Sequence, residues 1–134
     1  MIDAYPHIWR EGRTGAPLFV VFHGTGGNER QFPDLAADLL PGAHVLSPRG
    51  DVDERGAYRF FRRRAEGVYD MDDLARATAK MTGFVRAHRD RVQASRVVGL
   101  GYSNGANILA AVSFAAPGLF TDLVLMHPLI PFAP

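Results

Sequence analysis

Cysteine is absent from the 134 residues, which removes disulfides, thiolate metal sites and cysteine nucleophiles together. An excess of one charge is missing too. Fifteen Lys and Arg stand against fourteen Asp and Glu, a balance that sets up no long-range field toward nucleic acid or anionic lipid. No apolar run nears the roughly 20 residues that a membrane-spanning helix needs. The opening residues carry Asp3, Pro6, His7, Arg10 and Glu11 where a secretion signal would be continuously apolar. Internal repeats, low-complexity tracts and linkers are lacking as well. What is present is a chain of single-domain length, 47% hydrophobic, which is rich enough to build a core. Residues 1–134 are expected to form one domain, or one piece of one, in a soluble cytoplasmic protein with neither a nucleic-acid nor a membrane partner.

Leu18 to Phe22 is a continuous apolar run between Pro17 and a glycine cluster, the pattern of a strand buried on both faces. His23-Gly24-Thr25-Gly26-Gly27 follows as a loop. Asn28 then reads as a helix cap with Gln31 three residues on, and Phe32, Leu35, Ala36, Leu39 and Leu40 share one helical face until Pro41-Gly42. Ala43 to Leu46 reads as a short strand closed by Pro48, and the Arg- and Gly-rich stretch to Gly67 has no clear period. From Asp72 to Val92, the recurrence of Leu74, Thr78, Met81, Val85 and His88 predicts an amphipathic surface helix. Arg96 to Tyr102 is another apolar strand, Asn104 to Phe114 a helix apolar nearly all round, and Leu123 to Met126 a last strand. Apolar strands alternating with helices predict an α/β fold: a doubly wound, mostly parallel sheet covered on both faces.

Two motifs carry chemistry. Gly101-Tyr102-Ser103-Asn104-Gly105 reads G-x-S-x-G between a buried strand and a buried helix, where the sharp turn presents the serine hydroxyl at the carboxyl edge of the sheet. With four serines and fourteen glycines in the chain, chance supplies only about 0.04 such matches, so an ordinary glycine-rich turn is the weaker reading. The second motif, His23-Gly24-Thr25-Gly26-Gly27, ends the first strong strand, where glycines let backbone approach a substrate carbonyl. The amides of Thr25 and Asn104 are then candidates for an oxyanion hole around an acyl-transfer transition state. A phosphate loop would require a Gly-Lys-Ser/Thr ending that is absent, which leaves a plain turn as the other alternative.

On these motifs the chain resembles the phospholipase/carboxylesterase family of the α/β-hydrolases, in its small bacterial esterase branch. Further similarity lies in Ser47-Pro48-Arg49-Gly50, Tyr58-Arg59-Phe60-Phe61-Arg62-Arg63, Ala65-Glu66-Gly67-Val68-Tyr69-Asp70 and His127-Pro128-Leu129-Ile130-Pro131. The resemblance implies an α/β-hydrolase fold and a cofactor-free enzyme that cleaves carboxylic esters with a Ser-Asp-His triad. Ser103 matches the nucleophile and the Thr25 and Asn104 amides match the oxyanion donors, with His23, Gly24, Tyr102, Phe60 and His127 expected around the substrate pocket.

The triad of this fold runs Ser, then Asp or Glu, then His, and Asp122 and His127 are the only acid and only histidine after Ser103. Five positions along one strand separate them by roughly 16 Å, at about 3.3 Å per residue, too far for a hydrogen bond. His23 belongs to the oxyanion loop and has no evident orienting carboxylate. The family's acid and base come from a further segment, so the domain reads as the N-terminal portion of a hydrolase, incomplete at its C-terminus. An apolar strand at Leu123 to Met126 would then need covering by a C-terminal segment or a homodimer partner. Arg62-Arg63-Arg64 reads as a solvated or locally paired loop rather than a phosphate patch, Arg49-Gly50-Asp51 as a coincidental tripeptide, and Asp70, Asp72 and Asp73 as helix capping rather than a metal site. Two function classes stay open: a serine esterase acting on a small or medium ester, and a hydrolase-like binding or structural module without turnover.

Overall fold

A computed structural model describes residues 2–65 and 68–128. Nine strands and three helices occur among them: β1 (His7–Arg10), β2 (Leu18–Phe22), α1 (Pro33–Leu39), β3 (His44–Pro48), β4 (Val52–Glu54), β5 (Ala57–Arg59), β6 (Arg63–Ala65), β7 (Val68–Tyr69), α2 (Met71–Val92), β8 (Val97–Tyr102), α3 (Asn104–Ala115) and β9 (Asp122–Met126). Five strands form one sheet in the order β1-β3-β2-β8-β9. Its β3, β2, β8 and β9 are mutually parallel and β1 runs antiparallel on β3. This is the mostly parallel α/β sheet that the alternating pattern predicts.

Period-two alternation within the buried strands builds two cores. Leu18, Val20 and Phe22 of β2 point into the larger one, with Leu74, Met81 and Phe84 of α2 and Ile108, Leu109 and Val112 of α3. Phe19 and Val21 point the other way, joining Val45, Val98, Leu100 and Ala36 of α1. Each fully buried Leu, Val or Phe contributes about 1.5–3 kcal/mol of transfer free energy, and β2 is buried at all five positions. On β8 the residues turned toward α3 include Gly99 and Gly101, and a Cβ at Gly99 would sit 2.7 Å from the Leu109 side chain. The missing side chains let α3 lie close against the sheet.

Several local expectations are corrected. Asn28 and Gln31 do not cap the first helix. Asn28 closes a turn in which its side chain accepts the Arg30 N–H at 2.8 Å, and α1 begins at Pro33 behind Phe32, with no side-chain cap. Proline fits this first helical position because its missing N–H would have had no partner there. The stretch without a period folds into two short antiparallel ribbons, β4–β5 and β6–β7, too brief for a periodic signal to register. Strand β1, unread in the sequence, is an edge strand with Trp9 packed on the larger core. The Asp70 cap is present, its side chain accepting the Asp73 N–H at 3.1 Å. Arg63 pairs with Glu54 at 2.6 Å and Asp51 with Arg76 and Lys80, so those charges serve local ion pairs. No helix of the described residues is long and apolar enough to cross a membrane.

Candidate active site

Parallel pairing brings the carboxyl ends of β3, β2, β8 and β9 to one edge of the sheet, and the motif residues lie in the loops that leave it. Ser103 stands between β8 and α3 with φ 54° and ψ −114°, a region a non-glycine residue occupies only under constraint. Four contacts impose it. The Ser103 N–H donates to the Met126 carbonyl at 2.8 Å and the Ser103 carbonyl accepts the Asn107 N–H at 3.0 Å. A Cβ at Gly101 would lie 2.6 Å from the Gly105 carbonyl oxygen, and one at Gly105 would land on the carbonyl oxygens of Phe22 and His23. Both glycines of the motif are thus required by backbone meeting backbone, and the second contact presses the first turn of α3 onto the end of β2, where the oxyanion loop starts.

That loop meets the serine turn again at Gly24, whose position for a Cβ lies 2.7 Å from the Tyr102 ring. The Gly24 N–H donates to Gln31 Oε1 at 3.1 Å, the role Gln31 fills instead of capping. Thr25 is exposed and Ser103 half-buried. Among the described residues no hydrogen bond occupies the Thr25 or Asn104 N–H. Asn104 is buried, and its Oδ1 accepts the Phe60 N–H at 2.7 Å, tying the segment after β5 to the base of the serine turn.

The expected pocket residues separate into two groups. Tyr102 and His127 are exposed beside Ser103, their rings 5.7 Å apart. His23 and Phe60 lie beneath the surface, packed ring to ring at 4.6 Å. His23 Nε2 accepts the Gly50 N–H at 2.9 Å, which places its proton on Nδ1, donating to the Gly24 carbonyl at 2.8 Å. Burial holds its pKa below the usual histidine value. A neutral, doubly bonded His23 binds the loop after β2 to the loop after β3 and has no nitrogen left to act as a base. Asp122 sits at the opposite end of β9, paired with Arg96 at 2.9 Å, so Asp122 and His127 do not form a dyad. One contributor was missed in the sequence: Arg59, whose Nη1 donates to Thr25 Oγ1 at 2.7 Å. It stands among Tyr58, Phe60 and Phe61, and only its place in a motif pointed toward it. A groove of about 690 Å³ between α2 and α3, lined by Thr78, Ala79, Thr82, Ala111 and Phe114 among others, contains none of the residues at this sheet edge.

Other proteins share the sequence and the fold of this chain along nearly all of its length. No family model matches it. The Agrobacterium tumefaciens protein Atu2452, of unknown function, superposes with a TM-score of 0.95 at 63% identity over 98% of this chain and 65% of its own. The Bacillus cereus carboxylesterase superposes with a TM-score of 0.91 at 38% identity over 98% of this chain and 64% of its own. The chain has the α/β-hydrolase fold. A further carboxylesterase, from Mesorhizobium loti, matches it at a TM-score of 0.86 and 25% identity, covering all of this chain and 67% of its own. Among curated sequences, the Bacillus subtilis protein named "Putative hydrolase MhqD" is 39% identical over 127 residues, 93% of this chain and 63% of that protein. The chain therefore spans a little under two-thirds of the length of these first relatives.

Proposed function

We propose that this chain carries the nucleophile and oxyanion half of a serine carboxylesterase. The observation that carries the reading is Ser103 at a φ of 54°, on a turn whose Gly105 rests on Phe22 and His23, where the Gly24–Thr25 loop starts. Ser103 Oγ attacks the acyl carbon of a small or medium ester, the negative oxygen settles against the Thr25 and Asn104 amides, and the alcohol leaves as the acyl-serine forms. Water then releases the acid and restores the hydroxyl. Hydrolase and carboxylesterase relatives support the reading. A serine hydroxyl needs a base, and no described histidine is paired with a carboxylate beside Ser103, so the base and its acid are proposed to be residues outside these 134. The same chain beyond this sequence, or a second copy, would also cover the β9 edge, where Leu123 and Val124 stand 39% and 46% exposed.

The missing dyad is also what favours the second reading, a hydrolase-like binding module that keeps the pocket and lacks turnover. Hydrolysis of short p-nitrophenyl esters by the full natural polypeptide decides between them. The esterase reading expects turnover that Ser103→Ala abolishes, and turnover that is absent or indifferent to Ser103→Ala refutes it.

A further inference from the structure

Arg59, the last residue of β5, has no part in the acyl-transfer scheme above, yet its side chain is only 3% exposed. Its Nη1 donates to Thr25 Oγ1 at 2.7 Å and its Nε donates to the Phe61 carbonyl at 3.0 Å. The preceding residue grips the same loop, because the Tyr58 carbonyl accepts the Gly26 N–H at 3.3 Å. Two successive residues of the β4–β5 ribbon thus hold two successive residues of the oxyanion loop.

The charge at this point is incompletely neutralised. Glu54 lies 3.8 Å from Arg59 Nε, but Arg63 already engages both of its oxygens at 2.6 and 3.0 Å. One carboxylate therefore serves two guanidinium groups, and although the Arg59 guanidinium lies over the Phe61 ring at 5.6 Å, its Nη2 finds no hydrogen-bond partner among the described residues. Burial lowers the Arg59 pKa from the ordinary arginine value, and arginine remains a cation at neutral pH. A buried cation is a poor stabiliser, since its desolvation penalty commonly matches or exceeds what its pairing returns. A neutral side chain would pin a loop to a ribbon at less cost. The cation gains a purpose if negative charge develops nearby, in a setting of low dielectric where fixed charges act strongly.

We propose that Arg59 is a positioning residue for acyl transfer: through Thr25 Oγ1 it fixes the oxyanion loop and holds a buried positive charge behind the place where the ester oxygen becomes negative. The inference rests on the esterase reading of Ser103 and Thr25. The test uses the full natural polypeptide with p-nitrophenyl acetate as substrate and a trifluoromethyl ketone as a probe of the tetrahedral adduct. Arg59→Met is expected to lower kcat about 10- to 100-fold, the effect of losing one charged hydrogen bond. KM should change little, and affinity for the ketone should fall by the same factor as kcat. Thr25→Val should lose as much, the double variant no more than either alone, and Thr25→Ser should recover most of the loss by keeping the hydroxyl. The thermal midpoint of Arg59→Met should equal or exceed the parent's.

Parent-like kcat in Arg59→Met, a loss confined to KM or to the thermal midpoint, or effects of Arg59→Met and Thr25→Val that multiply would each overturn the inference. Should Arg59→Met fail to fold, Thr25→Val at its exposed position decides alone, and unchanged kcat there overturns it. Ser103→Ala separates the two levels. If turnover depends on Ser103 while Arg59→Met and Thr25→Val match the parent, only the Arg59 inference falls. If turnover survives in Ser103→Ala, the esterase reading falls and takes the inference with it.

Discussion

Replacing Gly105 by alanine tests whether the serine turn is held by direct backbone packing. A Cβ there would lie 2.5 Å from the His23 carbonyl oxygen and 2.7 Å from the Phe22 carbonyl carbon, and closer still to the Phe22 oxygen. All three are main-chain atoms at the end of β2, so none can swing aside as a side-chain tip would. To restore ordinary contact α3 must retreat by about 1 Å, and close-packed interiors resist such shifts. Overpacking typically costs about 1–3 kcal/mol, and immovable neighbours put this site near the upper figure. At about 3 °C per kcal/mol for a domain of the relatives' length, the thermal midpoint of the full natural polypeptide should drop by roughly 9 °C. The same retreat carries Ser103 away from the oxyanion loop, and a misplacement of that size costs about 100-fold in rate. Gly83→Ala is the control: it lies inside α2 with open space around the added carbon and should gain about 0.5–1 kcal/mol. Thermal unfolding and ester turnover of both variants suffice, and a Gly105→Ala protein matching the parent in both would refute the packing argument.

Asn104→Ala removes the acceptor of the buried Phe60 N–H and should cost about 1–3 kcal/mol in urea unfolding, whereas Asn104→Asp keeps an acceptor and should recover part of it; equal stability of Asn104→Ala and parent would count against that bond. Burial depresses the pKa of both His23 and His88 below 6.5, so below pH 6.5 the unfolded chain binds protons that the folded chain refuses. Their contribution is complete above 6.5 and is lost as pH falls toward the folded values, at most about 1.4 kcal/mol per pH unit from each; urea midpoints that hold constant or rise from pH 7 to 5.5 would contradict this sign. Residues 1–134 expressed alone should hydrolyse p-nitrophenyl acetate no faster than their Ser103→Ala variant, because His23 is closed and His127 has no orienting carboxylate. Ser103-dependent turnover with a pH profile showing a base near 7 would make His127 the first suspect.

Where burial is uniform, the sequence was readable. β2 and β8 are apolar along their buried lengths because both sides of the sheet are covered, α3 is apolar but for Asn104, Asn107 and Ser113, and the glycines flanking Ser103 announced a turn that the backbone contacts explain. The α2 pattern was equally clear, with Leu74, Met81, Val85 and His88 on its buried face. Legibility failed where local chemistry was redirected by distant partners. Gln31 looked like half of a capping box but bonds Gly24 across the loop. His23 looked like a pocket residue, yet Gly50, 27 positions on, uses its free nitrogen. Ribbons of two or three residues carry no period, so Arg59 and its bond to Thr25 had no signature beyond a motif. The Leu129–Ile130–Pro131 part of one resemblance motif, and Glu66 and Gly67 of another, lie outside the described residues.

Covalent labelling reaches the central claim most directly. The full natural polypeptide should react with a fluorophosphonate probe at a single residue, and peptide mass spectrometry should place the adduct on Ser103, since only a serine with an activating base and an oxyanion hole attacks phosphorus at a useful rate. Ser103→Ala should abolish the adduct. An unlabelled parent, or a label that persists in Ser103→Ala, would contradict the assignment of Ser103 as the nucleophile.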